Sequence, residues 1–512
     1  MRAEIPGAGS SQEVGGRRGL ALSLAVVLAG MAFQLTTLRS GQSWGDDFAL
    51  YLIHARNIAE GRPYAEMSYV HEPHSPLSPP AYPPGLPLLL APAYRQSGLN
   101  FDAFKRITVL SLAIALSAAC LLFRRDLTAG ALVVFAGLTA FSPILWDFKD
   151  NILSEFPYML FLYGAALAAA PASVAPRLQG VIIGLLIGAA AGTRGIGLLL
   201  LPALVLSDLL TRRRLDGRTM WALASCSLVV LLLTLVGSVT SNADQFAAAN
   251  AVGFRRNLRL YIGELVGMLP GSNAGAIDDF LRWLLIRCGL ANAPAPPLAL
   301  GIGEGFALIV AGFAAIGWTG RVVRGCSFLD AYAPMHILAT AAFPVVQGVR
   351  YVIPLLPLIL FYAAVGFRRA ERRVGRFGRV LAVVAAVACA AQYSARFAAF
   401  DYGPLREGVE EPGARAFLAW VRHHTSAEDL ILFGKPRALA LLTGRRSAEP
   451  CRELTDADCW MRIRRLGATH IGMGPFNDEH RVKALVERNL SRLEPLYTNG
   501  PYALYRIRGQ PR

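Results

Sequence analysis

Apolar runs long enough to cross a bilayer recur from residue 20 to residue 398, and this repetition constrains the fold more than any other feature. A spanning helix needs about 20 predominantly apolar residues, because its backbone polar groups must be satisfied within the segment once water is absent. A chain of 512 residues would otherwise suggest several soluble domains, but 54% of its residues are hydrophobic and its mean hydropathy is positive. The expected architecture is therefore an α-helical polytopic membrane protein. Eleven helices are expected, over 20–38, 106–123, 128–146, 152–170, 179–192, 195–210, 219–239, 299–319, 328–346, 350–366 and 380–398.

The formal net charge of +16 does not point to nucleic acid, because the arginines are spread through short loops between apolar runs. With residues 1–19 as a cytoplasmic tail, the inner loops hold Arg124-Arg125, Arg177, Arg212-Arg213-Arg214 with Arg218, Arg321 with Arg324, and the cluster from Arg368 to Arg379. Every strongly basic short loop then lies on one side, as the positive-inside rule requires. The first apolar run follows Arg17-Arg18 but lacks a small-residue cleavage site, so it reads as an uncleaved helix. The runs 179–192 and 195–210 read as a shallow pair with Arg194 at an outward apex. One long helix through Gly192 and Gly195 is the alternative, and it would invert everything downstream.

This topology places 39–105, 147–151, 240–298 and the tail from residue 400 outside. The tail alternates helix-like stretches (414–423, 455–466, 479–489) with strand-like runs (430–433, 469–473, 502–507), the pattern of a small extracytoplasmic α/β domain over 400–512. Cys120, Cys226 and Cys389 lie in apolar runs and Cys326 beside one, where they read as small hydrophobes. Cys451 and Cys459 are close enough in an outer tail for a disulfide to be open. No phosphate-cradling glycine loop, catalytic-triad motif, zinc spacing or internal repeat is present.

Within 39–105, Asp46-Asp47 opens a segment in which Phe48, Tyr51, Leu52, Ala55, Ile58 and Ala59 fall at helical spacing. Such a helix is expected to lie flat in the membrane interface. The acidic pair reads either as its N-cap or as a functional group, since carboxylates near hydrocarbon are costly. The next outer turn carries Asp147, Lys149, Asp150 and Glu155, and by this topology Lys149, Arg194 and Arg350 are cations near the outer face. Guanidinium groups match phosphate in two-pronged contact, and snorkelling helix-end arginines are the plainer reading.

Several stretches carry a resemblance: Trp44-Gly45-Asp46-Asp47, Tyr82-Pro83-Pro84-Gly85, Ser154-Glu155, Gly192-Thr193-Arg194-Gly195 and Arg350-Tyr351-Val352-Ile353-Pro354. In order and spacing they resemble the GT-C membrane glycosyltransferases, closest to the protein O-mannosyltransferase and lipid-A aminoarabinose transferase branch. Gly195 stands where that branch has proline. The resemblance spans about 20–210 and 328–366, and loosely the tail, but not 240–298. It implies sugar transfer from a polyprenyl-phosphate donor to a glycan, lipid or protein acceptor at the outer face of the inner membrane, with inversion. It implies Asp46 as general base beside Asp47, with Asp150 and Glu155 as further acids. Tyr82, Lys149, Arg194, Arg350 and Tyr351 would bind the lipid phosphate or sugar. No resident cofactor or metal is expected, although outer carboxylates leave a divalent cation open. A flippase of lipid-linked glycans would need polar groups buried at mid-membrane, and the apolar runs show few. A non-catalytic scaffold presenting the tail is the third reading.

Overall fold

The computed structural model describes residues 8–71, 81–171, 173–235, 251–269, 272–290, 301–450, 455–476 and 480–509. Its helices begin with α1 (Ala8–Thr36), α2 (Asp47–Glu60), α3 (Gly85–Ser97), α4 (Phe101–Phe123), α5 (Ala129–Ala140), α6 (Pro143–Phe148), α7 (Glu155–Ala169) and α8 (Pro176–Thr193). They continue with α9 (Leu200–Arg212), α10 (Gly217–Leu235), α11 (Ala251–Gly267), α12 (Ala274–Arg287), α13 (Ile302–Val322), α14 (Phe328–Ala342), α15 (Leu356–Val374) and α16 (Arg376–Ala399). Each expected apolar run holds a helix. Among the described residues, nine helical stretches are long and apolar enough to cross a membrane. The remaining two expected spans, α7 and α14, have 15 residues each.

The long-helix alternative for 179–210 is excluded. Arg194 is extended (φ −147°, ψ 131°) and ends α8, after which a 3₁₀ turn over Gly195–Leu199 leads into α9. The missing side chain of Gly197 lets this turn lie against the backbone of Ala190 and Ala191. Gly180 faces Arg218, Gly184 faces Ala222 and Ser225, and Gly188 faces Val229, so α8 and α10 run parallel and α9 returns in the opposite sense. Pro176–Thr193 and Gly195–Arg212 are each 18 residues long, so the pair is deeper than the shallow hairpin expected. Glycines one helical turn apart allow backbones to approach closely in lipid, where packing replaces the hydrophobic effect. A Cβ at Gly184 would overlap the Ala222 carbonyl. Gly184→Leu should therefore cost about 1–3 kcal/mol and lower the melting temperature in detergent. An unchanged melting temperature would contradict this packing.

The basic loops gather at one end of the bundle. Arg125, Arg212, Arg218 and Arg321 line one cavity there, with Arg218 3.2 Å from Asp208 and Arg321 3.0 Å from Asp126. The starts of α2 and α7, the end of α8 and the 3₁₀ turn over Gly348–Tyr351 meet at the opposite end, where Arg350 contacts Asp47 and Glu155.

The tail adds helices α17 (Pro412–His424), α18 (Pro436–Thr443), α19 (Asp456–Leu466) and α20 (His480–Arg488). Its strands are β1 (Leu430–Leu432), β2 (Arg446–Ala448), β3 (His470–Met473), β4 (Leu493–Asn499) and β5 (Tyr502–Ile507). They form a five-stranded sheet in the order β2-β1-β3-β5-β4. The first three strands are parallel, and β5 runs antiparallel to β3 and β4. Three elements had not been expected: α18, the three-residue β2, and β4, whose pairing shifts register near Pro495. Cys451 lies outside the described residues, so the pairing of Cys451 with Cys459 does too.

The first loop clasps this domain. The Val70 amide donates to the Ser447 carbonyl at 2.7 Å and the Ser447 amide to the Ser68 carbonyl at 3.1 Å, extending the sheet at its β2 edge. Trp44 packs among Phe433, Phe476 and Tyr502, and its indole N–H donates to the Tyr502 hydroxyl at 3.1 Å.

Two segments have packing that the sequence did not show. Helix α2 is covered by protein: Phe48 to Ala55 are all buried, and the helix packs against α3 and α18. Its supposed polar face binds loop backbone instead, with Asn57 donating to the carbonyls of Pro63, Tyr64 and Glu66. The segment 240–298, which had no family counterpart, contains the helical hairpin α11–α12, closed by Arg259 on Asp278 at 2.7 Å. Asn257 ties it to α14 through the carbonyls of Ala341 and Phe343.

Candidate active site

A cavity of about 410 Å³ opens between the bundle and the tail domain, lined by Ser43 to Phe48, Phe148, Asn151, Leu153, Gln347, Arg350, and Gly434, Lys435, Arg437 and Glu449 from the tail. Local sequence explains how its walls meet. Ser154 precedes α7, so Glu155 occupies the first turn of an otherwise apolar helix and is completely buried. Gly85 begins α3 directly against Thr193, where any side chain would overlap the end of α8. That close approach accounts for the glycine after Tyr82-Pro83-Pro84.

Glu155 is the hub. Its Oε1 accepts from Arg194 at 2.5 Å and from Arg350 at 3.0 Å, so two guanidinium groups converge on one carboxylate oxygen. Arg350 also donates to Asp47 Oδ2 at 2.7 Å. Arg194 reaches the Ser154 hydroxyl at 3.3 Å and lies over the Tyr351 ring at 5.1 Å. Tyr82 donates to Asp47 Oδ1 at 2.6 Å, and Tyr51 donates to Ser154 at 3.0 Å. Tyr82 is itself fixed from behind. Its amide donates to His54 Nε2 at 3.3 Å, so His54 carries its proton on Nδ1, which donates to the Tyr64 carbonyl at 2.9 Å. Burial pushes His54 down to about 4, which keeps it neutral in this role.

The two aspartates differ in environment. Asp46 occupies the N-cap position of α2 but makes no capping bond there. Its Oδ1 accepts instead from the amide of Arg437 at 3.2 Å, at the N-terminus of α18 in the tail. Burial raises its pKa to about 6, with Arg437 and Lys435 opposing and the neighbouring Asp47 adding to the rise. Burial also pulls Asp47 upward, but Arg350 and the Tyr82 hydroxyl outweigh it and hold Asp47 below the ordinary carboxylate value. One acid is thus poised near neutrality and its neighbour is held ionised. Environments that separate paired carboxylates in this way mark acid–base assignments.

Of the expected site residues, Asp46, Asp47, Tyr82, Glu155, Arg194, Arg350 and Tyr351 lie in or directly against this cluster. Lys149 and Asp150 do not line the cavity. Asp150 accepts from Arg39 at 2.7 Å and from Lys149 at 2.9 Å, and Lys149 sits 3.7 Å over the Trp146 ring. Both are buried in a brace at the end of α1, because Arg39 competes for Asp150 from the far side of the turn. Their neighbours Phe148 and Asn151 face the cavity instead.

Arg437 had not been expected. It donates to the Tyr82 hydroxyl at 3.2 Å and stacks 5.0 Å from the Tyr69 ring, bringing a tail cation into the chain Arg437–Tyr82–Asp47–Arg350. The only local signal was Gly434-Lys435-Pro436-Arg437 after an apolar strand, a turn with proline at the first helical position. The expectation of few polar groups inside the bundle also changes. Tyr158, Tyr332 and His336 form a buried hydrogen-bonded chain between α7 and α14. Among the described residues no three His, Cys, Asp or Glu side chains gather as a metal-binding group.

No protein-family model matches the chain, and neither does any curated protein. Solved structures do resemble it. ArnT from Cupriavidus metallidurans, bound to undecaprenyl phosphate, superposes with a TM-score of 0.56 at 15% identity, over 96% of this chain and 99% of that one. The archaeal oligosaccharyltransferase AglB from Archaeoglobus fulgidus, in complex with an inhibitory peptide and a dolichol-phosphate, gives 0.55 at 14% identity over 88% and 69%. The arabinofuranosyltransferase AftD from Mycobacteria gives 0.52 at 15% identity, with 96% of this chain covering 40% of that protein. The likeness runs along nearly the whole length of both chains for ArnT, and the chain has the fold of the GT-C glycosyltransferases.

Proposed function

We propose that this protein is an integral-membrane glycosyltransferase that moves a sugar from a polyprenyl-phosphate donor to an acceptor hydroxyl, with inversion. The observation that carries the reading is the convergence of Arg194 and Arg350 on Glu155 at a cavity that also holds Asp46 and Asp47. Two guanidiniums held within reach of one oxygen suit a phosphate, which accepts several such bonds at once.

In the proposed step, Asp46 takes the proton of the acceptor hydroxyl as its oxygen bonds the anomeric carbon. The bond from that carbon to the phosphate oxygen breaks, and its electron pair leaves on the phosphate. Arg350 and Arg194 stabilise that developing charge, the role such preorganised donors serve best. The phosphate is already a good leaving group, so a second carboxylate is not needed as general acid, unlike in glycosidases. Asp47, held ionised, fixes Arg350 and Tyr82 rather than moving a proton. In this reading the cavity faces the extracytoplasmic side of the inner membrane with the tail domain outside, and the basic loops gathered at the other end of the bundle support that orientation. The bilayer and the lipid-linked donor are the partners this reading requires, and no cofactor enters it.

The test is transfer from synthetic polyprenyl-phosphate sugars by the purified full chain, across a set of acceptors and across pH. Product should form, and its rate should fall toward tenfold per pH unit below about 6, as the Asp46 base protonates. The same titration has the opposite sign for stability. Because folding raises this pKa, the Asp46 carboxylate costs stability above about 6, and the cost is relieved as the pH falls toward the ordinary aspartate value of 3.8. A rate independent of pH between 5 and 7 would remove Asp46 as the base. No product with any lipid-phosphate sugar would overturn the proposed function.

A further inference from the structure

Arg350 sits on a short irregular segment, not on a regular helix, and yet it must be placed to a fraction of an ångström to bridge Asp47 and Glu155. The segment runs through two 3₁₀ turns, Gly348–Tyr351 and Ile353–Leu355, and enters through Gly348 at φ +61°, a conformation that glycine adopts without strain. Such turns leave backbone groups without regular partners, so something else must hold them.

Three buried side chains from three different helices do so. Tyr261 of α11 accepts from the Gln347 amide at 3.2 Å. His336 of α14 places Nε2 2.7 Å from the Tyr351 carbonyl. Tyr163 of α7 donates its hydroxyl to the Pro354 carbonyl at 2.9 Å. Each of the three is at most 1% exposed. His336 must donate through Nε2, since a carbonyl only accepts. Its Nδ1 then accepts from the Tyr332 hydroxyl at 2.5 Å, and Tyr332 in turn meets Tyr158. The chain fixes both the tautomer and the ring plane. It also ends on α7, the helix whose first residue is Glu155.

We propose that His336, Tyr163 and Tyr261 are positioning residues that set Arg350 through the backbone of residues 347–354. None of them touches the cavity: their side chains are spent on the segment that carries Arg350 and Tyr351. The helical hairpin α11–α12 thereby gains a role, since Tyr261 is its contribution to this three-point hold. The inference rests on the proposed function only for what Arg350 binds, and the claim about the backbone stands apart from it.

The experiment uses the purified full chain and two readouts: hydrogen exchange of peptides spanning 347–356, and affinity for undecaprenyl phosphate. His336→Leu removes both bonds of the ring, while His336→Gln keeps a donor for the Tyr351 carbonyl and an acceptor for Tyr332. The leucine variant should speed exchange across 347–356 about tenfold, the worth of one or two buried hydrogen bonds, and leave peptides of the tail sheet unchanged. The glutamine variant should restore slow exchange. Affinity for undecaprenyl phosphate should drop in parallel, and His336→Leu should add nothing once Arg350→Ala is present. Tyr163→Phe, which deletes one hydroxyl at nearly constant shape, should give the same local loosening and serves if the leucine variant does not fold. Unchanged exchange at 347–356, or a change spread evenly over the chain, overturns the positioning role. So does an affinity loss that adds to that of Arg350→Ala. Absence of any undecaprenyl phosphate binding by the wild type would count against the proposed function alone, because the exchange readout still decides the backbone claim.

Discussion

Asp46→Asn should lower sugar transfer by about 10²–10⁴-fold, the usual contribution of a general base, while the protein still inserts and folds. The amide keeps the size of the carboxylate and can still accept from the Arg437 amide, so the contact with α18 survives. What is lost is the ability to take a proton at neutral pH, which depends on the raised pKa that burial imposes. The neighbouring variant separates two accounts. Asp47→Asn leaves the base in place but loosens Arg350 and Tyr82, so its main effect should fall on donor binding. Steady-state transfer with both variants checks this. If Asp46→Asn stays near full activity and Asp47→Asn is inactive, the base is Asp47. If both stay active, Asp46 is only a cap for α18.

Arg350→Ala should weaken undecaprenyl phosphate binding by about 10–100-fold, the worth of a charge-assisted hydrogen bond to an anion. It should also slow transfer, because in the proposed step the same group faces the phosphate as it departs. Arg350 bridges Asp47 and Glu155, and these two carboxylates hold its own charge more firmly than burial loosens it. Removing it leaves Asp47 with Tyr82 and Glu155 with Arg194, so partial occupancy of the site should persist. Arg350→Lys keeps the charge but not the fork that reaches two carboxylates at once, and should recover only part of the affinity. Binding measured in detergent or nanodiscs reads both variants. Equal affinity in wild type and Arg350→Ala would mean that the phosphate binds elsewhere.

Hydropathy and charge made the bundle legible because both act locally. Each expected apolar run holds a helix, and the loops with Arg125, Arg212, Arg218 and Arg321 gather at one end. The break at Arg194 was legible too, since Gly192 and Gly195 flank it, although only the glycine contacts of α8 with α10 show that the chain turns back. Site residues within short motifs were visible where backbone geometry carries them, as with Gly85 beside Thr193. What remained hidden depends on partners far away in the chain. Lys149 and Asp150 sit in a polar outer turn, but Arg39, 111 residues from Asp150, draws them into a buried brace. Helix α2 has an amphipathic pattern suited to an interface, and nothing local shows that α18 covers its other side. Arg437 reaches Tyr82 across 355 residues, a pairing made by the docking of the tail sheet. His336 reads as an ordinary residue of an apolar run and Tyr261 as part of an unassigned outer stretch until the turn that carries Arg350 lies against them.

The central claim is that the phosphate of a lipid-linked donor lies between Arg194 and Arg350, next to Asp46. Cryo-electron microscopy of the full chain in nanodiscs with undecaprenyl phosphate tests it most directly. The account predicts phosphate density within hydrogen-bond reach of both guanidiniums. Density instead at the opposite end, among Arg218 and Arg321, would contradict it.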